Sequence, residues 1–109
     1  MNLTVERIGN VAIVHCEGRI VRSDAALLLR DVVRAQHDAR IVLLDLSNVE
    51  ALEGGGLGML LFLDAWTSAH GIQFKIFDPP DSVRRRLDRT RTAADLEIAG
   101  AGEVLSLLG

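Results

Sequence analysis

Ile41-Val42-Leu43-Leu44-Asp45-Leu46-Ser47, then six residues, then Gly54-Gly55-Gly56-Leu57-Gly58, is the stretch from which the rest of the 109-residue chain unfolds. Its first four side chains are apolar in both phases of a strand's alternation, the pattern of a central strand covered on two sides. The glycines mark a loop and the entry to a helix over about 56–69. His70-Gly71 closes that helix, because glycine suits the left-handed position just past a helix end.

Downstream, Ile72 to Phe77 alternates Ile72, Phe74 and Ile76 against Gln73 and Lys75, as a half-exposed strand does. Asp78-Pro79-Pro80 stops it and opens a helix over about 80–90 with Val83 and Leu87 on one face. Leu96 to Ile98 is short and apolar enough for an edge strand, and a last helix is expected over 102–108. Upstream, residues 3–8 and 11–17 read as two strands joined by a Gly9-Asn10 hairpin turn. Either Val11, Ile13 and His15 or Ala12, Val14 and Cys16 can face the core. Ser23 is placed to cap a helix over about 24–36, with Leu28, Leu29, Val32 and Val33 on one side and Arg30, Asp31 and Arg34 on the other. The order predicts an α/β fold: a mixed central sheet of four to five strands with about four helices. Strands 41–46 and 72–77 should be parallel, because a helical crossover joins them. The length suits a single domain spanning 1–109.

The composition narrows the function. Apolar residues make up 49% and charged residues 25%, with a net charge of −3. That balance fits a folded domain and repels a phosphate backbone, so no nucleic acid is expected and a protein or small molecule is preferred. The longest apolar run, Gly54 to Leu63, is half the length that crosses a bilayer and stops at Asp64, so no direct membrane insertion is expected. Glu6 and Arg7 interrupt the start of the chain where a secretory leader would be apolar, which points to the cytoplasm. Catalysis finds no foothold. His15 and Cys16 are strand neighbours and point to opposite faces. Asp45 has no second carboxylate or base at a defined spacing and reads as a loop anchor. His15, His37 and His70 lack metal-ligand spacing, so neither a metal nor another cofactor is expected. The chain is read as no enzyme.

The Ile41-to-Glu50 segment, Gly56-Leu57-Gly58 and His70-Gly71, with Glu17-Gly18-Arg19-Ile20 before them and Ser82-Val83-Arg84-Arg85-Arg86-Leu87 after, resemble the STAS family of sulfate transporter and anti-sigma factor antagonist domains. The resemblance runs over nearly the whole chain. It implies a STAS fold and a protein-interaction module of bacterial transcription regulation whose partner is an anti-sigma factor or serine kinase; a homodimer stays open. Regulated members of the family carry Asp-Ser-Ser-Gly-Leu-Gly where this chain has Glu53-Gly54-Gly55-Gly56-Leu57-Gly58. In them a partner kinase phosphorylates the first serine. The equivalent here is Gly54, which has no hydroxyl, so the resemblance implies a module without the usual switch.

The candidate partner surface comprises Ser23 and Asp24 at the start of the first helix, Glu53, Gly54, Gly55, Gly56 and Leu57 at the entry to the second, and Met59, Phe62 and Trp66 along it. On a helical wheel the second helix carries an apolar sector of about 200°, wider than a one-sided helix needs. Either neighbours sandwich it or part of it docks a protein. Its glycine-rich start could hold an anion on free backbone amides. It lacks a P-loop's Lys-Ser/Thr ending, Met59 stands where a dinucleotide fingerprint needs glycine, and Glu53 repels phosphate. The alternative function is accordingly an accessory STAS subunit of a transporter, or a domain that binds an anion or nucleotide at Gly54 to Gly58. Arg84, Arg85, Arg86, Arg89 and Arg91 crowd the third helix and its exit, partly offset by Asp81 and Asp88, and read first as a solvated face and second as a dock for an acidic partner.

Overall fold

Strand β3 (Ile41–Leu52) forms the middle of a five-stranded sheet in the computed structural model, which describes residues 1–20, 23–52, 55–89 and 96–109. Before it come β1 (Asn2–Ile8), β2 (Val11–Ile20) and α1 (Ser23–Arg34). After it come α2 (Gly55–Ala69), β4 (Gln73–Phe77), α3 (Asp81–Arg89), β5 (Glu97–Ala99) and α4 (Ala101–Leu108). The strands lie side by side in chain order. The hairpin pair β1 and β2 is antiparallel, and β2–β3, β3–β4 and β4–β5 are all parallel. The fold is mixed α/β, with a five-stranded mixed sheet and four helices.

Two strands are longer than the apolar pattern suggests. β3 continues through Ser47-Asn48-Val49-Glu50-Ala51-Leu52, which the sequence presents as a loop, because β2 runs beside it as far as the Ile20–Leu52 pair. Register shifts between His15 and Glu17 and between Gly18 and Arg19 break the alternation there, yet Val49 and Leu52 are still buried. Such irregularities are β-bulges, which hide a strand from a period-two reading.

The sheet has two unequal faces, and this settles the question of β2. Ala12, Val14 and Cys16 join Val42, Leu44 and Leu46 under α1, α2 and α3, in the main core with Leu29, Leu60, Leu63 and Val83. Val11 and Ile13 are buried too, on the opposite face with Leu43 and Ala99, where Val104 and Leu108 of α4 cover them. Both sets are therefore inside. Lys75 is also covered on that second face rather than exposed: its ammonium is paired with Glu97 on β5 and, at 2.8 Å, with Glu103 on α4. Those carboxylates, Glu103 foremost, raise its pKa against the opposing pull of burial. On α1 the buried stripe is Ala26, Leu29 and Val33, and Leu28 turns outward, 45% exposed. The small Ala26, not the larger Leu28, is the residue that faces the sheet.

Helix α2 is fixed at both ends. At its C-terminus Gly71 takes φ 70°, the Ile72 amide donates to the Thr67 carbonyl at 2.8 Å, and the Gly71 amide donates to that of Ser68 at 3.2 Å. This is a Schellman closure, and it turns the chain directly into β4. At its N-terminus Gly56 is buried against the end of β2. A Cβ there would collide with the Ile20 carbonyl oxygen and come within 2.9 Å of a Leu52 methyl. A backbone oxygen cannot step aside as a flexible side chain can. Gly58, one residue beyond Leu57, faces open space.

These two glycines should respond oppositely to alanine. Gly56→Ala is expected to lower unfolding stability in urea by about 1–3 kcal/mol through overpacking. Gly58→Ala should raise it by about 0.5–1 kcal/mol through helix propensity. Equal effects at the two positions would contradict the close approach.

Candidate partner-binding surface

The end of β3 delivers the chain to α2 beside the end of β2, and the candidate surface is built around that entry. Glu53 and Gly54 lie outside the described residues, as does the side chain of Ser23, so its capping role is not among the described features. Gly55 is exposed, whereas Gly56 and Leu57 are buried, Leu57 within the main core. Those two belong to the support of the surface and not to the surface itself, because they are the residues that seat the first turn of α2 on the sheet. Asp24 is exposed in the first turn of α1. It lines a groove of about 830 Å³ with Met1, Arg19, Leu28 and Glu50.

Farther along α2 the wide apolar sector divides in three. Leu60, Leu63 and Thr67 are buried, with the Thr67 hydroxyl donating to the Leu63 carbonyl at 2.7 Å. Met59 and Trp66 are half-buried at the margin of the main core. The Trp66 ring stacks on His70 with centroids 4.3 Å apart, and the Arg34 guanidinium of α1 lies 6.0 Å from it. His70 Nδ1 donates to the Trp66 carbonyl at 2.7 Å, which holds that ring in place. Phe62 is 44% exposed, and Leu27 of the neighbouring α1 is 41% exposed. Met59, Phe62 and Trp66 are thus not equivalent: Trp66 is tied down by its neighbours, Met59 is a flank, and Phe62 is the exposed one of the three.

A polar cluster on the other face of the sheet was not legible in the spacing. His15 and Asp45 are direct partners in the parallel β2–β3 register, and His15 Nδ1 lies 2.7 Å from Asp45 Oδ2. His15 Nε2 lies 3.2 Å from Glu6 Oε1 on β1. The Ser47 amide and hydroxyl donate to Asp45 Oδ1 at 2.9 and 2.6 Å. Asp45 is therefore a mid-strand residue with a base beside it, not an isolated loop anchor. Carboxylates only accept, so an imidazole that satisfies both neighbours must carry two protons. The hydrogen bond to Asp45 accordingly raises the His15 pKa above its ordinary value, outweighing partial burial. Burial pushes the Asp45 carboxyl up, but donation from Ser47 and His15 outweighs it and leaves the group below the usual carboxylate range. On the core face, burial pushes the Cys16 thiol up to about 12, far from a reactive thiolate.

Among the described residues, no helix is long and apolar enough to cross a membrane. The family model for the STAS domain matches residues 2–100. No curated protein matches the chain in sequence. Among solved structures, the anti-sigma factor antagonist SpoIIAA in its unphosphorylated form is similar with a TM-score of 0.79 at 12% identity, over 98% of this chain and 96% of that one. An anti-sigma factor antagonist from Mycobacterium paratuberculosis is similar with a TM-score of 0.80 at 20% identity, over 98% and 92%. RsbS of Moorella thermoacetica gives 0.73 at 10% identity, over 99% and 95%. At these identities the likeness is one of fold.

The His15–Asp45 pair gives the domain a pH signature. A raised imidazole stabilises the fold below its ordinary value of 6.5 and loses that contribution as pH rises through the raised value. The depressed Asp45 contributes above 3.8 and fades as pH falls through its lowered value. The wild-type urea midpoint should therefore decline between about pH 6 and 8, a decline that His15→Asn abolishes. An NMR titration of the His15 ring with a midpoint at or below 6.5 would contradict the pairing.

Proposed function

The chain belongs to the STAS domain family, and from that membership we propose that it is a non-enzymatic protein-interaction module of the anti-sigma factor antagonist type, working in the cytoplasm in bacterial transcription regulation. Its partner on this reading is an anti-sigma factor or serine kinase. The observation that carries the reading is Phe62. A large aromatic ring, 44% exposed on a helix whose two ends are fixed, supplies a rigid apolar anchor of the kind on which protein interfaces concentrate their binding energy. Leu27 and Leu28 of α1 are likewise exposed, at 41% and 45%.

Binding on this proposal is not switched at the helix entry. SpoIIAA exists in unphosphorylated and phosphorylated forms. In this chain the segment from Glu53 to Gly58 holds no hydroxyl group at all. The nearest serine before it on β3, Ser47, already donates its hydroxyl to Asp45. Control then acts through the amount of the protein or through its partner.

The test mixes the chain with an anti-sigma serine kinase from the same genome. Calorimetry should detect a complex, and Phe62→Ala should weaken it by about 2 kcal/mol or more while the variant remains folded by circular dichroism, because Phe62 is not one of the buried core residues. Kinase and ATP should leave the wild type unmodified by mass spectrometry, whereas Gly54→Ser should gain one phosphate. Phosphate on Ser23 or Ser47 of the wild type would overturn the unswitched reading, and full-strength binding by Phe62→Ala would overturn the assigned face.

A further inference from the structure

The arginines of α3 do not form one undifferentiated basic surface. Val83 and Leu87 bury one side of the helix, and Ser82, Arg85, Arg86 and Arg89 recur at i, i+3, i+4 and i+7 along another. That second side lines a cleft of about 330 Å³ whose other wall is the end of β3, from Glu50 to Leu52. Arg84 lines a separate hollow with Pro79 and Ile98. Helical spacing groups Asp81 and Asp88 with Arg84, and Arg85, four residues after Asp81 and three before Asp88, borders that flank; neither acid lines the cleft itself. Arg91 lies outside the described residues. In a chain of net charge −3, the described residues that line the cleft bring three guanidinium groups together with one carboxylate, Glu50; of the three, Arg86 is already engaged in an interaction of its own.

We propose that the cleft between α3 and the end of β3 is a docking site for an extended acidic segment of a partner protein, read by Arg85 and Arg89 with Ser82 as an added donor. Charge complementarity and spacing choose this occupant. Arg85 and Arg89 are one helical turn apart, about 6 Å along the axis, and carboxylates on alternate residues of an extended chain are about 6.8 Å apart. Each planar guanidinium can then hold its own carboxylate with two parallel hydrogen bonds. A compact dianion such as phosphate would instead need the guanidinium groups to converge on one point; Glu50 repels either anion and does not choose between them. The proposal extends the protein-binding reading and shares its premise that the ligand is a protein, but it concerns a different element from the Phe62 face and is tested without any natural partner.

The probe is a fluorescein-labelled alternating Asp-Ser octapeptide, titrated into the full chain at low and near-physiological salt. Binding is expected to perturb the Ser82 amide and the Arg85 and Arg89 side-chain resonances, and to weaken as salt screens the charges. Arg85→Gln/Arg89→Gln should weaken it by about tenfold or more, Arg84→Gln should leave it within about twofold, and Glu50→Gln should tighten it. Phe62→Ala should not change it, so failure of the Phe62 face and failure of this cleft are separately visible. Absence of peptide binding at low salt overturns the proposal, as does equal binding by the double variant. Inorganic phosphate that displaces the peptide at equal charge concentration overturns it in favour of a single-anion site.

Discussion

The parallel ladder between β2 and β3 is the constraint on which the other features rest. It joins residues about 30 apart in sequence and runs from Val11–Ile41 to Ile20–Leu52, past two register shifts. At one point it sets His15 against Asp45, and at its far end it brings the Ile20 carbonyl and the Leu52 side chain together as the floor under Gly56. The position of α2 follows from that floor. Without a side chain at residue 56, the first turn of the helix approaches the strand end closely, and the rest of the helix lies along the core with Leu60 and Leu63 inward and Phe62 outward.

The two faces of the sheet are held in different ways. Three helices cover one face through aliphatic packing, the dominant favourable term in folding, at roughly 25 cal/mol per Å² of apolar surface removed from water. A single eight-residue helix covers part of the other, and none of its own residues is buried. There the Lys75 ammonium links β4, β5 and α4 through two carboxylates. A lysine residue that is only 8% exposed is tolerated there because two carboxylates neutralise its ammonium. Electrostatic pinning thus does on the second face part of what apolar area does on the first.

Most elements were legible because their periodicity is local. The apolar run at 41–44, the amphipathic pattern of α3 and the glycine after His70 each report the conformation of their own neighbourhood. What was illegible depends on partners distant in sequence. The second half of β3 mixes polar and apolar residues and is a strand only because β2 lies beside it. Lys75 alternates as an exposed residue should, and its cover arrives nearly thirty positions later, in Glu103. On α1, side-chain size favoured Leu28 for the core, but the stripe that closes on the sheet includes the smaller Ala26. For the candidate surface, sequence alone could not separate Gly56 and Leu57, which support it, from Gly55 and Phe62, which present it. The arginine row was visible, but its division between two hollows required the strand end opposite.

Parallel pairing also gives the sheet a direction. The amino ends of β2, β3 and β4 are laced by main-chain bonds, from the Arg40 and Ile41 amides to the Asn10 carbonyl and from the Gln73 amide to the Arg40 carbonyl. These bonds need no particular side chains. At the carboxyl ends stand the glycine-rich helix entry, the Asp24 groove and the arginine cleft, all defined by side-chain identity. The molecule therefore divides labour along one axis: main-chain bonds at the base keep the strands together, while at the opposite rim the exposed side chains, unlike the tightly seated Gly56, can be exchanged without the scaffold being rebuilt.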